Sequence, residues 1–406
     1  MSWSAFGQIR RVTLDNVAGV VEVVGADGRL LRAEHPLLTK TLGPELPDFD
    51  RLGLDIAHKV LSLTLPGGDE VEVEFYDHED DAHARRAGRP SVYLDQNKWV
   101  ALAQAIHSPH RLSTEELAAS RELIALVEAN EIIILLSSAH MLETGRTDGA
   151  WREHLAPLML RLSRGWVLRD PLQVRHAELS TMLAAQGGAE PTPPPMITLD
   201  PDALYSNLPL PGQVTSERRS PSSVGLDDVA GVLGHVASIY AVLVENVKII
   251  SSDGELATQR WAEWQEVVSR GSADNRATTE SLRQYPLTAY LRDMLHDIAL
   301  AASRVGATEE HLASWVSGCE HALAQAPYLR RVRDLMHRRH SNPAERWEPN
   351  DLVDVMYLPL AATFADLAVM EQKAAHYLRL GQRQSGGALI VTSLVAAVES
   401  LNSTVR

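Results

Sequence analysis

Four carboxylates stand at comparable points of the chain. Asp95 directly follows the strand-like run Ser91 to Leu94, and Glu143 lies on a helix after the apolar run Glu131 to Leu136. Asp354 sits early in a late helix, and Glu371 comes just after Leu367 to Met370. Carboxylates brought together repel one another, which raises their pKa values unless a cation compensates. Mg²⁺ or Mn²⁺ does so through oxygen ligands while keeping several waters. Each acid alone has a plainer role. An Asp after a strand is a common helix N-cap, Glu143 reads as a surface helix residue, and Asp351 with Asp354 are first-turn charges that the helix dipole favours.

The elements that must position these acids alternate strand and helix. Val92-Tyr93-Leu94 is bounded by Gly88 and Pro90, and a helix-compatible run from Trp99 to Ile106 follows. Thr114, with Glu115 and Glu116 in the first turn, opens a helix to about Asn130. EIIILL then reads as a second buried strand, ending in Ser137-Ser138-Ala139-His140. Trp151 to Arg164 is helical, Trp166 to Leu168 a third strand, and Pro171 to about Ala184 a helix. The last sixty or so residues repeat the rhythm: helix from Asp351 to Ala365, strand 367–370, helix 372–380, strand 388–392, closing helix through Leu401. The class is α/β with a parallel sheet flanked by helices, and ligands bind such sheets at the carboxyl ends of the strands.

Two regions depart from that rhythm. Residues 1–88 read as a small β domain, with strands at 8–14, 19–24 and 29–33 and a hairpin in which 61–65 and 71–75 alternate around Pro66-Gly67-Gly68-Asp69. Residues 186–345 read as a proline-rich linker followed by a large helical insertion. Eight of the 21 prolines fall between Pro191 and Pro221. Helical spacing then marks 229–247, 255–269, 287–303, 308–324 and 328–340. Neither region reads as an internal repeat. The α/β part therefore comes in two pieces, 89–185 and 346–406.

A single cysteine, Cys319, excludes an internal disulfide and argues against a cysteine-based zinc site, which fits a reducing compartment. The N-terminal MSWSAFGQIRR lacks the layout of a signal peptide, and no run approaches eighteen apolar residues. A soluble, cytoplasmic protein without membrane contact is expected. The net charge of −15 does not favour phosphate binding overall, but Arg330 to Arg346 holds six arginines against Asp334 and Glu345. Arg330, Arg331, Arg333, Arg338 and Arg339 are thus candidate nucleic-acid contacts, with a solvated helix face as the plainer reading. DHEDD at 77–81 reads as a solvated linker. His337 and His340, three apart, are poor metal ligands among basic neighbours. Trp261, Trp264 and Trp315 read as core residues.

The local words resemble a family. VYLDQNKW looks like the strand ending in Asp-x-Asn of PIN-like nuclease domains, and ILLSSAHMLETG looks like their strand, serine turn and Glu-bearing helix. DVMYLPLAATFADLAVME is similar to their late Asp helix leading to a strand and a final acid, and GGALIVTSLVAAVESL to their closing strand and helix. The resemblance covers roughly 91–185 and 346–401. Two departures stand out: the final acid is Glu371 where Asp is common, and a segment of about 160 residues, 186–345, comes before the late Asp helix. The resemblance implies that Asp95, Glu143, Asp354 and Glu371 hold Mg²⁺ or Mn²⁺ and act in catalysis. It implies that Asn97 and Ser137 or Ser138 hydrogen-bond the acids or a phosphate oxygen, and that Lys98 contacts phosphate. Asp351 is an alternative to Asp354, and Asp366 opens the strand that Glu371 follows. The implied reaction is metal-assisted hydrolysis of phosphodiester bonds, in single-stranded or loop RNA rather than DNA.

Two other readings stay open. Asp95 at a strand end suits the nucleophile of a haloacid-dehalogenase-like phosphatase, although Asn97 stands where that family has a second Asp. A catalytically inactive PIN-like module, binding a protein partner or a second copy through the β domain or the insertion, is the third. Toxin, RNA-processing and defence roles share such motifs, and fold analogy does not choose among them.

Overall fold

The alternating runs near the N-terminus form one antiparallel sheet in the computed structural model, which describes residues 9–34, 49–64, 68, 70–75, 86–146, 150–184, 193–204, 252–274, 279–342, 344–382 and 387–405. Its strands are β1 (Ile9–Asp15), β2 (Val20–Gly25), β3 (Leu30–Glu34), β4 (Arg51–Asp55), β5 (Val60–Thr64) and β6 (Glu70–Glu74), in the order β3-β2-β1-β4-β5-β6. β4 is absent from the sequence reading because Gly53 at its centre weakens the strand signal.

The expectation of no repeat is corrected here. β1-β2-β3 and β4-β5-β6 are the same three-stranded meander, offset by 40 residues, so that Arg11, Leu14, Asp15, Val20, Gly28 and Glu34 recur as Arg51, Leu54, Asp55, Val60, Gly68 and Glu74. In both, the Asp ending the first strand accepts from a backbone N–H three residues on, Ala18 at 2.7 Å and His58 at 3.0 Å. Both tight loops close through a left-handed residue, Gly19 at φ 65° and Lys59 at φ 56°. Only the second meander buries its face fully: Leu52, Leu54, Leu61, Leu63, Val71 and Val73 join one core with Leu155, Leu158 and Leu162. Gly165, at φ 86°, lets the chain cross so close to β6 that a side chain would meet Val73.

β7 (Ser91–Leu94), β8 (Ile133–Leu135), β11 (Leu367–Val369) and β12 (Leu389–Val391) make a four-stranded parallel sheet in the order β12-β11-β7-β8. Every residue of β7, β8 and β11 is buried, as expected where helices cover both faces. Period two sorts them: Val92, Leu94, Ile134, Leu367 and Val369 face one core, and Tyr93, Ile133, Leu135, Ala368 and Ile390 face the other. Burying each such aliphatic side chain contributes about 1.5–3 kcal/mol.

The first core is closed by α1 (Gln96–His107), α2 (Thr114–Glu128), α4 (Ala150–Ser163) and α14 (Leu394–Val405). α3 (Ser138–Gly145) follows β8. The second core is closed by α5 (Pro171–Ala184), α11 (Pro327–Ser341), α12 (Asp351–Phe364) and α13 (Gln372–Gln382). The insertion helices α6 (Ser252–Asp274), α7 (Thr279–Asp293), α8 (Leu295–Val305), α9 (Glu309–Ser317) and α10 (Cys319–Gln325) add Tyr290, Met294, Ile298, Trp315 and Leu323 to that same core. The insertion therefore shares a core with the sheet.

Three expected elements differ. The helices expected at 287–303 and 308–324 each break in two, at Met294 and at Gly318. The third strand, β9 (Val167–Leu168), pairs antiparallel with β10 (Ile197–Thr198), inside the expected linker, and meets Leu136 by one parallel bridge. The DHEDD segment, the helix expected at 229–247 and most of the proline-rich stretch lie outside the described residues. No described helix is long and apolar enough to cross a membrane.

Candidate active site

Parallel pairing brings the acids together. Leu94 pairs with Val369, and Asp95 N–H donates to Val369 O at 2.9 Å, so Asp95 and Glu371 leave the sheet from neighbouring strand ends. β8 lies on the other side of β7, and α3 carries Glu143 away from it. α12 runs back toward the start of β11, which puts its first turn, with Asp351 and Asp354, at the same carboxyl edge. Asp95, Glu143, Asp354 and Glu371 all line one cavity of 530 Å³, together with Asn97, Arg146, Arg339, Asp351 and Lys373.

Asp95 caps α1, accepting from Gln96 N–H at 2.9 Å, so the plain role holds alongside any other. Burial, then the charge of Glu371, pushes its carboxyl upward against the N–H groups of Gln96 and Glu371. Glu143 is pushed up to about 7 by desolvation, then by Asp95 and Asp354. Asp354 also rises to about 7, through desolvation, then Asp95, Asp351 and Glu371. Asp354 stands exposed on the open side of the cavity, so solvent screens part of that repulsion. Asn97 donates its amide to Glu371 Oε1 at 2.9 Å.

The donor set is all oxygen, which suits a hard divalent cation. Among the described residues, however, no group of three or more His, Cys, Asp or Glu is arranged as a ready-made metal site. Mg²⁺ is commonly held through only one or two carboxylates plus water, so the match here lies in the kind of donor and not in a preformed cluster.

Several expected supporting residues fall elsewhere. Asp366 sits at the opposite, amino edge of the sheet, accepting from Ser91 N–H at 2.6 Å and Ser91 Oγ–H at 2.8 Å and pairing with Arg86. Ser137 is fully buried, 3.4 Å from Tyr93 OH. Ser138 bonds the acid Asp170 at 3.3 Å and Tyr357 OH at 2.7 Å, and none of the four site acids. Asp351, by contrast, does line the cavity, where Arg339 pairs with it at 2.9 Å. Lys98 is half-buried and draws the Asp95 carboxyl downward, but it does not line the cavity.

The arginine run is not one exposed face. Arg339 is buried, paired with Glu345 at 2.8 Å and with Asp351, its guanidinium 3.9 Å over the Trp347 ring. Arg331 is buried beside Gly387, and Arg333 pairs with Asp334 at 2.9 Å. Arg330 reaches Ala324 O at 3.3 Å, and Arg338 is half-buried. Trp315 is core, whereas Trp264 lies under Arg292 and Trp261 is half-buried.

Sequence reasoning missed His140. Its Nε2–H donates to Leu94 O at 2.7 Å, its Nδ1 accepts from Ser137 N–H at 3.1 Å, and burial lowers its pKa to about 4. A neutral imidazole thus ties the carbonyl before Asp95 to the start of the helix carrying Glu143. Gln96 adds a second tie, Nε2 to Thr144 Oγ1 at 2.9 Å. The signal was the spacing Ser137-x-x-His140, a capping pattern with His in place of Glu. Arg146 and Lys373, both on the cavity wall, were also missed.

Comparison with protein-family models, with curated proteins and with solved structures finds no match.

Proposed function

We propose that this protein is a PIN-like, divalent-metal-dependent phosphodiesterase that cuts RNA in single-stranded or looped segments. The observation that carries the reading is the convergence of Asp95, Glu143, Asp354 and Glu371, from four different elements, on one cavity at the carboxyl edge of the parallel sheet. Carboxylates that raise one another's pKa values are where a cation is most strongly drawn. The resemblance of the local words to PIN-like domains supplies the choice of phosphodiester and of RNA.

In this reading Asp95 and Glu371, fixed by the sheet ladder, and Glu143, fixed through the His140 and Thr144 ties, present the charge. Asp354 adds a further carboxylate from the first turn of α12. Mg²⁺ or Mn²⁺ held by these carboxylates would supply an activated water and offset charge developing on the phosphate. Asn97 orients the Glu371 carboxylate, while Arg146 offers a cation to the substrate's phosphates at the cavity wall and Lys373, paired with Glu345, adds positive charge beside it. The phosphatase alternative is weakened by the environment of Asp95 and Asn97: one Asp95 oxygen is engaged as the helix cap, and the Asn97 amide faces Glu371.

The test pairs Mn²⁺ titration calorimetry with cleavage of an unstructured RNA. Wild-type protein is expected to bind Mn²⁺ and to cleave only with divalent metal, and Asp95→Asn to lose both. Unchanged cleavage by that variant refutes the site, and no Mn²⁺ binding by wild type leaves the binding module as the reading.

A further inference from the structure

Beside the acidic cavity lies a second one of 630 Å³, within the range of small-ligand pockets. Arg146, Val353 and Val355 line both, so the two share a wall at the first turn of α12. The second cavity differs sharply in chemistry. Its sides are Trp261, Tyr290 and four thioethers, Met141, Met294, Met336 and Met356. Polar groups interrupt them: Arg175 and Asp293 on the wall, and an edge where Ser138 Oγ lies 2.7 Å from Tyr357 OH and the Tyr357 hydroxyl donates to Asp170 Oδ2 at 3.2 Å.

An object with flat apolar faces and a hydrogen-bonding rim fits such walls, and a nucleobase has that form. Unpaired bases are bound by stacking on aromatic rings and by hydrogen bonds to their edges. Deformable thioethers take up the differences in outline between bases. The position also matters, because a base here would leave its phosphate near the shared wall, where Arg146 stands beside the acids. Resting on the nuclease reading, we infer that this cavity receives one unpaired nucleobase of the RNA strand, next to the phosphodiester that is cut. Trp261 contributes the stacking face, Ser138 and Tyr357 read the base edge, and Arg146 holds the intervening phosphate. A base in a duplex is stacked and paired, so only unpaired RNA can deliver one here, which makes the cavity a selector for single strands.

The test separates binding from cleavage. A fluorescein-labelled single-stranded RNA hexamer is titrated into Asp95→Asn protein in EDTA, and nucleoside 5′-monophosphates are followed by saturation-transfer NMR. Thr258→Trp fills the lip of the cavity from the face of α6, and Trp261→Ala removes the stacking ring. Circular dichroism checks that both fold, and the lip variant serves if the ring variant does not. Expected is a loss of about tenfold in hexamer affinity for either variant, the size of one lost base stack, and loss of the monophosphate signal. Equal hexamer affinity in parent and variants, with wild type still cleaving RNA, overturns the base cavity and leaves the nuclease reading standing. Monophosphate binding that Thr258→Trp abolishes, in a protein whose wild type never cleaves, keeps the cavity and removes the nuclease.

Discussion

The two edges of the parallel sheet carry the same residue type and treat it in opposite ways. At the amino edge Asp366 is surrounded by the Ser91 N–H and hydroxyl and by Arg86, and Glu74, 4% exposed, takes both Arg89 nitrogens at 2.9 and 3.0 Å and Arg164 at 3.3 Å. At the carboxyl edge Asp95, Glu143, Asp354 and Glu371 line one cavity, where desolvation and mutual repulsion outweigh their donors and push Glu143 and Asp354 to about 7. A carboxylate matched by donors at one edge secures the fold. Crowded among other acids at the other, it costs stability and becomes available to a cation.

Neutralising one acid at each edge should separate the two roles, with the largest effect at the carboxyl edge. Asp95→Asn is expected to lower RNA cleavage by at least about a hundredfold, the several kcal/mol that metal-assisted charge stabilisation supplies, with the helix still capped because Asn serves there as well as Asp. Asp366→Asn is expected to leave cleavage within about twofold and to lower the melting temperature. Single-turnover rates beside thermal melts read both, and a cleavage loss of equal size in Asp366→Asn would erase the distinction. Next in size is Glu74→Gln. Breaking a buried, multiply paired carboxylate costs about 3–5 kcal/mol, seen as a shift of the urea midpoint with cleavage per folded molecule unchanged.

Much of this contrast is legible in the chain, and the failures have physical causes. EIIILL, the 61–65 and 71–75 alternation and the start at Thr114 declare their elements because period and capping are local. Asp95, Glu143 and Glu371 are legible because each follows a buried strand. Asp366 misleads because only three residues of strand separate it from the edge where Glu371 stands, and a strand has two ends. Arg331 and Arg339 mislead because charge is visible in sequence, whereas burial beside Gly387 or over Trp347 depends on distant contacts. The β repeat hides because its halves share pattern and turn chemistry more than identity.

The raised acids set a pH dependence of their own. Glu143 and Asp354 move from 4.5 and 3.8 to about 7 on folding. Between those values the native state holds protons that the unfolded chain has released, so stability falls as pH rises. Their contribution is full below about pH 4 and is lost through about pH 7. Metal-free protein should therefore melt at lower temperature at pH 8 than at pH 6. Millimolar Mg²⁺ should reverse the slope by favouring the ionised acids, and Glu143→Gln should flatten it. A slope unaffected by either would mean that these two acids do not govern it.

The smallest effect belongs to Asn97, which sits between the two behaviours: a neutral amide donated to one of the crowded acids, Glu371, at an exposed position. Its loss should barely touch stability, since an exposed hydrogen bond contributes about 1 kcal/mol or less. It should act instead on the cation, because groups that orient a ligand change metal affinity by about tenfold or more when removed. Asn97→Ala is thus expected to weaken Mn²⁺ binding about tenfold while the melting temperature in EDTA stays within a degree or two of wild type. Asn97→Asp tests the same contact from the other side. A fifth carboxylate beside Glu371 should lower the metal-free melting temperature at pH 8 more than at pH 5 and restore it with Mn²⁺, whereas a residue that served only to pack α1 would respond alike at both pH values.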